Sequence, residues 1–190
     1  MTTTKVRAGI VAAVAAVGLF GAGTASAADT TLTWKGAFPI IGEQTVETVV
    51  HVDIPEQATP GEQLSVPFSI DVDAGTAAAD GLRLVGATQI SGEISSSVTI
   101  TASDGQSVPL TIKLPIPETP VPAEGSLTFA AEGSVDFAIP EGVPSGPAET
   151  TVDPEASTHV VTDSSLGEFD VELALDPPDQ DTLLGTTEVG

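Results

Sequence analysis

The feature that most constrains the fold is a regular alternation of apolar and polar residues between Gly81 and Ala102. A period of two residues is typical of a β-strand that buries one face. A straight strand of this length would measure roughly 70 Å, far beyond usual strand lengths. We therefore expect a bend near Gly86 or Gly92. The face predicted to be buried carries Leu82, Leu84, Gly86, Ile90, Gly92, Ile94, Val98 and Ile100.

The same alternation recurs along the chain between turn signals. Asp104 and Gly105 form a hairpin signal, which predicts that residues 98–102 pair with residues 108–114. No segment shows a clear helical period. The pattern predicts an all-β, immunoglobulin-like antiparallel β-sandwich of about seven to nine strands, with a closed barrel as the alternative. The other predicted strands are residues 31–35, 45–54, 63–73, 127–139, 158–162 and 168–175.

Proline and alanine positions set the predicted boundaries. Pro67 cannot donate to a ladder, so its strand is expected at a sheet edge or beside a bulge. Four prolines in residues 115–122 predict an extended crossing between sheets rather than a central strand. The alanine-rich residues 74–80 are interpreted as a connection with about one helical turn. Since the alternation stops at Asp176, residues 176–190 are predicted to be a loosely ordered tail after a single domain, residues 28–175.

Residues 1–27 have the three parts of a secretory signal peptide. Lys5 and Arg7 form the basic start, residues 8–22 are apolar, and the small-residue motif at 25–27 is the expected cleavage site. An uncleaved membrane helix is the alternative, but the apolar run is shorter than the ~20 residues that a bilayer requires. We expect the mature chain to be secreted, without membrane insertion, and either free outside the cell or associated with its surface.

Charge and composition exclude several classes of function. Lys5 and Arg7 leave with the signal peptide, so three basic residues remain against 27 acidic ones, a net charge of about −24. Such a field disfavours nucleic acid and anionic membrane surfaces as partners. The chain has no cysteine, which excludes disulfides, thiolate zinc sites and cysteine nucleophiles.

No catalytic or cofactor-binding residues are predicted. The only histidines are His51 and His159, and the alternation places His51 on an outward strand face with Glu47 and Asp53. A solvated histidine beside acids explains this arrangement better than a catalytic triad or a zinc site. Trp34 has inward parity and is predicted to lie in the core. We therefore expect a protein that is not an enzyme.

Calcium is the one metal ion with any support, because the chain is rich in oxygen donors and is expected to be extracellular. No known calcium-binding loop matches, and a solvated acidic surface explains the same residues. The weak candidate ligands are Asp71 and Asp73, which share a strand face near Asp80, and Asp176, Asp179 and Asp181, which cluster near the end of the chain.

Four short segments together resemble a family of exported actinobacterial β-sandwich proteins, the domain of unknown function DUF6801. The resemblance implies a noncatalytic exported sandwich and brings no catalytic residues. It also implies a disulfide whose two cysteines would fall at Gly36 and Leu173, where this chain has none. The segments are Phe38-Pro39-Ile40-Ile41-Gly42-Glu43-Gln44, Gly81-Leu82-Arg83-Leu84-Val85-Gly86-Ala87, Pro120 and Pro122 before Gly125, and Leu175-Asp176-Pro177 with Gln180-Asp181-Thr182.

Three functional hypotheses remain at this point. The leading one is a binding or structural module that contacts cell-wall material or other surface proteins, with strand addition at the edge near Pro67. The second is a secreted hydrolase of glycosidase type that uses surface carboxylates. The third is a small-molecule carrier, which requires a cavity between the sheets in place of a filled core.

Overall fold

The structure, a computed structural model, describes residues 25–190. These residues form ten strands and one short helix, which confirms the all-β prediction. The predicted signal peptide lies outside the described residues, except that residues 25–27 belong to the first strand. The elements are β1 (Ala25–Phe38), β2 (Gly42–Pro55), β3 (Gln57–Ala58), β4 (Gln63–Asp73), α1 (Gly75–Leu84), β5 (Gln89–Thr101), β6 (Ser107–Pro120), β7 (Thr128–Ala138), β8 (Gly146–Thr162), β9 (Glu168–Leu175) and β10 (Leu183–Val189).

Hydrogen bonds join the strands into one continuous sheet that folds over its own apolar face. The order is β3-β10-β8-β9-β1-β2-β4-β7, and β8 also pairs with β5, which pairs with β6. Only the β10–β3 pair is parallel. The half made of β1, β2, β4 and β7 and the half made of β5, β6, β8 and β9 place side chains in one core. The halves are therefore the two layers of a sandwich. Strands β3 and β10 are not among the predicted strands.

The hairpin predicted at Asp104 and Gly105 is confirmed. Residues 98–101 of β5 pair with residues 107–110 of β6, and Gly105 adopts a φ of 83° in the turn. The proline-rich segment after this hairpin is not the crossing that was predicted, because β6 continues to Pro120. The prolines are tolerated there since β6 pairs with β5 alone.

The same prolines explain why the sheet does not close into a barrel. Strands β6 and β7 lie side by side, but no backbone ladder joins them within residues 25–190. Across the β5–β6 ladder, Pro109 faces Thr99 and Pro115 faces Glu93. Proline has no N–H, so these are not hydrogen-bonded pairs, and the backbone of both prolines is directed to the free edge of β6. That edge lacks donors that a seam with β7 would need.

The long strand predicted from Gly81 to Ala102 is wrong at its start. Residues 75–84 form α1, and β5 begins only at Gln89. Leu82 is buried as expected, but Leu84 is 77% exposed, because a helix turns residues i and i+2 to different faces. From Ile90 onward the predicted alternation holds, and the β5–β6 ladder has a register irregularity at Gly92, one of the two positions named for the predicted bend.

Helix α1 ends in a Schellman motif. Gly86 has a φ of 77°, its N–H donates to the Arg83 carbonyl, and the Ala87 N–H donates to the Leu82 carbonyl at 2.9 Å. Alanines, the strongest helix formers, supply the first turns. A glycine after an alanine-rich segment was thus the available sequence signal for this helix.

The prediction of a loose tail at residues 176–190 is also wrong. β10 lies in this segment, where it pairs with residues 146–151 of β8 and with β3. Leu184 is 1% exposed and belongs to the main core. The segment escaped detection because Gly185 interrupts the alternation, and a side chain there would meet Ile54 at 3.2 Å.

Pro67 lies where a strand loses one of its two neighbours. β4 pairs with β7 along residues 63–73, whereas its pairing with β2 stops at Phe68. The prediction that the backbone is unpaired on one side at Pro67 is therefore correct. However, β4 is an interior strand, and the short unpaired stretch is not a full site for strand addition. The free sides of β6 and β7 are the long edges of the described sheet.

Trp34 is 5% exposed, which confirms its predicted place in the core. Within residues 25–190, no helix has the length and apolar character needed to span a membrane.

Candidate functional site

An apolar cavity of about 250 Å³ opens at one end of the sandwich, between the sheet layers. We call it the outer cavity. Side chains from β2, β4, β5, β6, β7, β8 and β10 line it, together with the loop at residues 139–144. Val108, which is 44% exposed, is among the lining residues. The apolar side chains facing this space include Ile54, Leu64, Val66, Ile100, Leu110, Val135 and Phe137.

A second cavity of about 110 Å³, the inner cavity, lies between the layers on the side of α1, and the exposed Ile40 is among its lining residues. Trp34, Phe38 and Ile41 line it, with side chains from α1 and from both layers. Three buried residues line both cavities and therefore form the partition between them. This partition consists of Phe68 from β4, Val98 from β5 and Ile112 from β6.

Three hydroxyl residues, Thr48, Ser96 and Thr158, line the inner cavity, and Thr48 is bonded to Trp34. The Trp34 indole Nε1 donates to the Thr48 hydroxyl at 3.0 Å, and that hydroxyl donates to the Leu32 carbonyl at 3.4 Å. No buried side-chain nitrogen or oxygen in the described part of the chain lacks a partner. Since apolar side chains make up most of its lining and no charged side chain is present, the inner cavity suits a mainly apolar group.

The charges around the cavities are all negative. Glu141 is the one charged residue in the lining of the outer cavity, and the inner cavity has none. Gln106, which also lines the outer cavity, donates to both carboxylate oxygens of Asp104. These bonds, first the one from the Gln106 backbone, lower the pKa of Asp104, so it stays ionised. Lysine and arginine are absent from both linings.

Each histidine is held between carboxylates on an outer sheet face. His51 Nδ1 lies 2.7 Å from Asp29 Oδ1 on β1, and Nε2 lies 3.1 Å from Asp71 Oδ2 on β4. His159 Nδ1 lies 2.8 Å from Asp170 Oδ1 on β9. No serine hydroxyl is bonded to either ring among the described hydrogen bonds, and both rings are bonded to carboxylates instead.

The hydrogen bond to Asp29, followed by the one to Asp71, raises the pKa of His51 above its usual value of 6.5, and partial burial opposes the shift. A raised folded-state pKa stabilises the protein fully below about pH 6.5, and this stabilisation is lost as the pH rises through the raised pKa. We expect an NMR titration of the His51 ring to give a pKa above 6.5, and Asp29→Asn to lower it. Asp53→Asn, on the same sheet face, is the control. An unchanged His51 pKa in Asp29→Asn would contradict this assignment.

The predicted calcium ligands make separate local hydrogen bonds or are exposed. Asp71 bonds His51, whereas Asp73 accepts the Gly75 N–H at 2.8 Å and Asp181 accepts the Leu183 N–H at 3.1 Å. No group of three or more histidine or acidic side chains suited to a metal ion occurs among residues 25–190. Calcium binding gains no support from these positions and stays a prediction. The remaining candidates, Asp176 and Asp179, are exposed, and Asp80 pairs with Arg83.

A family model covers most of this chain. DUF6801, a family of unknown function, matches residues 33–185. The chain belongs to this family. The family resemblance seen in the sequence is thus confirmed, and the family description assigns no activity. No curated protein and no solved structure matches the chain.

The segments that carry the DUF6801 resemblance have structural roles. The Asp176 N–H donates to the Thr33 carbonyl, and the Gln180 amide bonds both the N–H and the carbonyl of Thr33 at 2.7 Å. The Val152 N–H donates to the Thr182 carbonyl. These bonds hold the chain between β9 and β10 against β1 and β8. The segment at residues 38–44 holds the β1–β2 turn, where Ile41 packs on α1 at Gly81.

The two positions where the family resemblance implies cysteines are neighbours in the sheet. Gly36 of β1 is paired with Leu173 of β9. A Cβ at Gly36 would lie 2.7 Å from Leu173 Cδ2 and 2.6 Å from the Glu172 carbonyl oxygen. In this chain a leucine side chain therefore covers a glycine at the place where the family pattern would put a covalent link.

Sequence reasoning missed the residues that shape the cavities. Phe68, Val98 and Ile112 lie in segments that the alternation predicts as strands, but alternation cannot distinguish a side chain in a filled core from one beside a void. Glu141 fell in a loop rich in proline and glycine, and no sequence signal connected it with an apolar cavity formed by distant strands.

Proposed function

We propose that this DUF6801 protein is an exported, non-catalytic binding module that carries an apolar small molecule inside its sandwich. The outer cavity is the observation that carries the proposal. Its volume of about 250 Å³ exceeds that of engineered apolar cavities of about 150 Å³, which bind benzene. Because the outer cavity is open to solvent, it leaves apolar side chains in contact with water, which costs stability unless something covers them. Retention of such a void supports a role in binding.

The hydrolase hypothesis has less support. A glycosidase needs one carboxyl group with a raised pKa to act as general acid beside a second carboxylate. Hydrogen bonds from Gln106 to Asp104 and from Thr88 to Asp163 favour the ionised form and lower the pKa of both carboxyl groups, which is the opposite of what a general acid requires. Glu141 stands without a second acidic residue in the lining of the outer cavity.

A role in strand addition also has less support than ligand binding. The free edge of β6 is interrupted by prolines, which remove the donors that an incoming strand would use. The free edge of β7 faces β6, where the ideal Cβ position of Gly133 lies 2.7 Å from Leu114 Cδ2. An added strand would have to displace this contact between the layers.

The proposal is tested by titrating purified mature protein with undecanol in a calorimeter, and by solvent extraction of protein recovered from the culture medium. We expect saturable binding and an extracted apolar compound. Ala102→Phe, which fills part of the outer cavity, should weaken undecanol binding at least about tenfold. Ala123→Phe, on an exposed loop away from both linings, is the matched control and should bind as the parent does.

Two results would contradict the proposal. One is that undecanol does not bind the folded parent protein. The other is that Ala102→Phe and Ala123→Phe weaken undecanol binding to the same extent. Export is tested separately by mass spectrometry of the secreted chain, which we expect to begin at Ala28.

A further inference from the structure

We propose, building on the function proposed above, that the bound molecule is an uncharged, unbranched alkyl chain whose end passes the partition of Phe68, Val98 and Ile112 and reaches the inner cavity beside Trp34. The head group of such a lipid would remain at the outer cavity. The ligand class is therefore a neutral lipid such as a long-chain alcohol or ester, and not a free fatty acid or a ring system.

The two cavities have the sizes and order that a chain requires. The outer cavity holds about 250 Å³ and the inner cavity about 110 Å³, and they share the three partition residues. The inner cavity is smaller than the ~150 Å³ that accommodates benzene. It therefore fits the end of a chain and excludes a fused ring. Side chains in cores change rotamers, so a thin partition of three side chains can admit a flexible chain.

Hydrogen bonding determines which end enters. The inner cavity offers few polar groups: Thr48 is already bonded to Trp34 and the Leu32 carbonyl, which leaves the hydroxyls of Ser96 and Thr158 and no charged or amide side chain. The outer cavity has a more polar lining, with the amide of Gln106 and the carboxylate of Glu141 besides the hydroxyls of Thr150 and Thr187, and it reaches solvent at the exposed Val108. The alkyl end goes inward and the polar end stays near solvent.

Charge determines the head group. Glu141 lines the outer cavity, and Asp104 is bonded to Gln106 in the same lining, with no basic residue there. All three basic side chains of the described residues are paired with carboxylates elsewhere, as Lys35 with Glu43, Arg83 with Asp80 and Lys113 with Glu93. A carboxylate head group would meet only negative charge, whereas a hydroxyl or ester is not penalised.

Chain length can be tested with the single tryptophan, because Trp34 lines the inner cavity and not the outer one. Alcohols with a terminal bromine quench tryptophan on contact. We expect bromoundecanol to quench Trp34 and bromohexanol to bind without quenching it. Affinity for bromoundecanol should exceed that for bromohexanol at least about tenfold, since each buried CH₂ adds to binding.

The partition is tested with two variants on the same strand. Ile112→Phe thickens the partition and should abolish the quenching by bromoundecanol while bromohexanol still binds. Ile116→Phe is the matched control, because Ile116 is equally buried on β6 but lines neither cavity. If Ile112→Phe does not fold, the comparison of bromoundecanol with bromohexanol in the parent protein still tests whether a long chain reaches Trp34.

The head group is tested with bromoundecanoate against bromoundecanol. We expect the carboxylate to bind at least about tenfold more weakly, and Glu141→Gln to strengthen carboxylate binding about two- to fivefold without changing alcohol binding. Glu124→Gln removes an exposed charge outside both linings and is the control.

The outcomes separate the two proposals. If no bromoalkanol binds, the proposed function itself is wrong. If both chain lengths bind equally and Trp34 is never quenched, apolar binding stands but the extended chain is wrong. If the carboxylate binds as well as the alcohol, the selection for an uncharged head group is wrong.

Discussion

Replacing Gly92 with alanine is expected to lower the free energy of unfolding by about 3 kcal/mol or more. A Cβ on Gly92 would lie 1.9 Å from the His159 carbonyl oxygen and 3.0 Å from its carbonyl carbon. Both are backbone atoms of the neighbouring strand, so no side chain can move aside to relieve the overlap. Strands β5 and β8 would have to separate in the middle of the sheet, and their ladder would be broken there.

Urea unfolding followed by circular dichroism measures this effect, with Gly133→Ala as the control. Gly133 is also a strand glycine, but its added Cβ would approach the Cδ2 end of Leu114, a side-chain atom that can rotate away. We expect Gly133→Ala to cost clearly less than Gly92→Ala. Equal losses of unfolding free energy in the two variants would show that the overlap with the His159 backbone is not what destabilises Gly92→Ala.

The second large effect is expected at Leu184, in the segment for which the sequence pattern predicts a loose tail. Leu184 is 1% exposed and packs in the main core, so Leu184→Ala should lower the free energy of unfolding by about 3 kcal/mol. Part of this loss is the transfer of the leucine side chain, and part is the cavity that remains. The same urea experiment gives the value.

The adjacent residue provides a matched control. Leu183 is 41% exposed on the same strand, so Leu183→Ala should cost less than about 1 kcal/mol. The backbone bonds of Leu183, in which its carbonyl accepts from Thr30 and its N–H donates to Asp181, survive the substitution. A small loss in both variants would mean that β10 contributes little to the core, as the sequence prediction held.

The strands were predictable where burial follows the period of the backbone. In β4 the buried residues Val66, Phe68, Ile70 and Val72 alternate with more exposed ones because the sheet has one face on the core. Trp34 and the hairpin at Gly105 were predictable for the same local reason.

The prediction failed where a short pattern fits two periods. Leu82 and Leu84 are compatible with a strand face, but the alanine-rich start and Gly86 favour a helix that ends in a Schellman motif. The four prolines of residues 115–122 predict a crossing between sheets rather than a central strand, whereas β6 continues as far as Pro120. They are accommodated because β6 has a neighbour on one side only, and strand order cannot be inferred from local composition.

The sequence by itself determined the all-β class, most strand positions and the acidic surface, because these depend on side-chain alternation and composition within short windows. The tertiary structure alone decided the strand order, the place of β10, and the two cavities with the partition of Phe68, Val98 and Ile112. Those three residues come from three strands, and the void between them depends on how far apart the folded layers lie. That distance is fixed by the packing of the whole sheet and not by any local pattern.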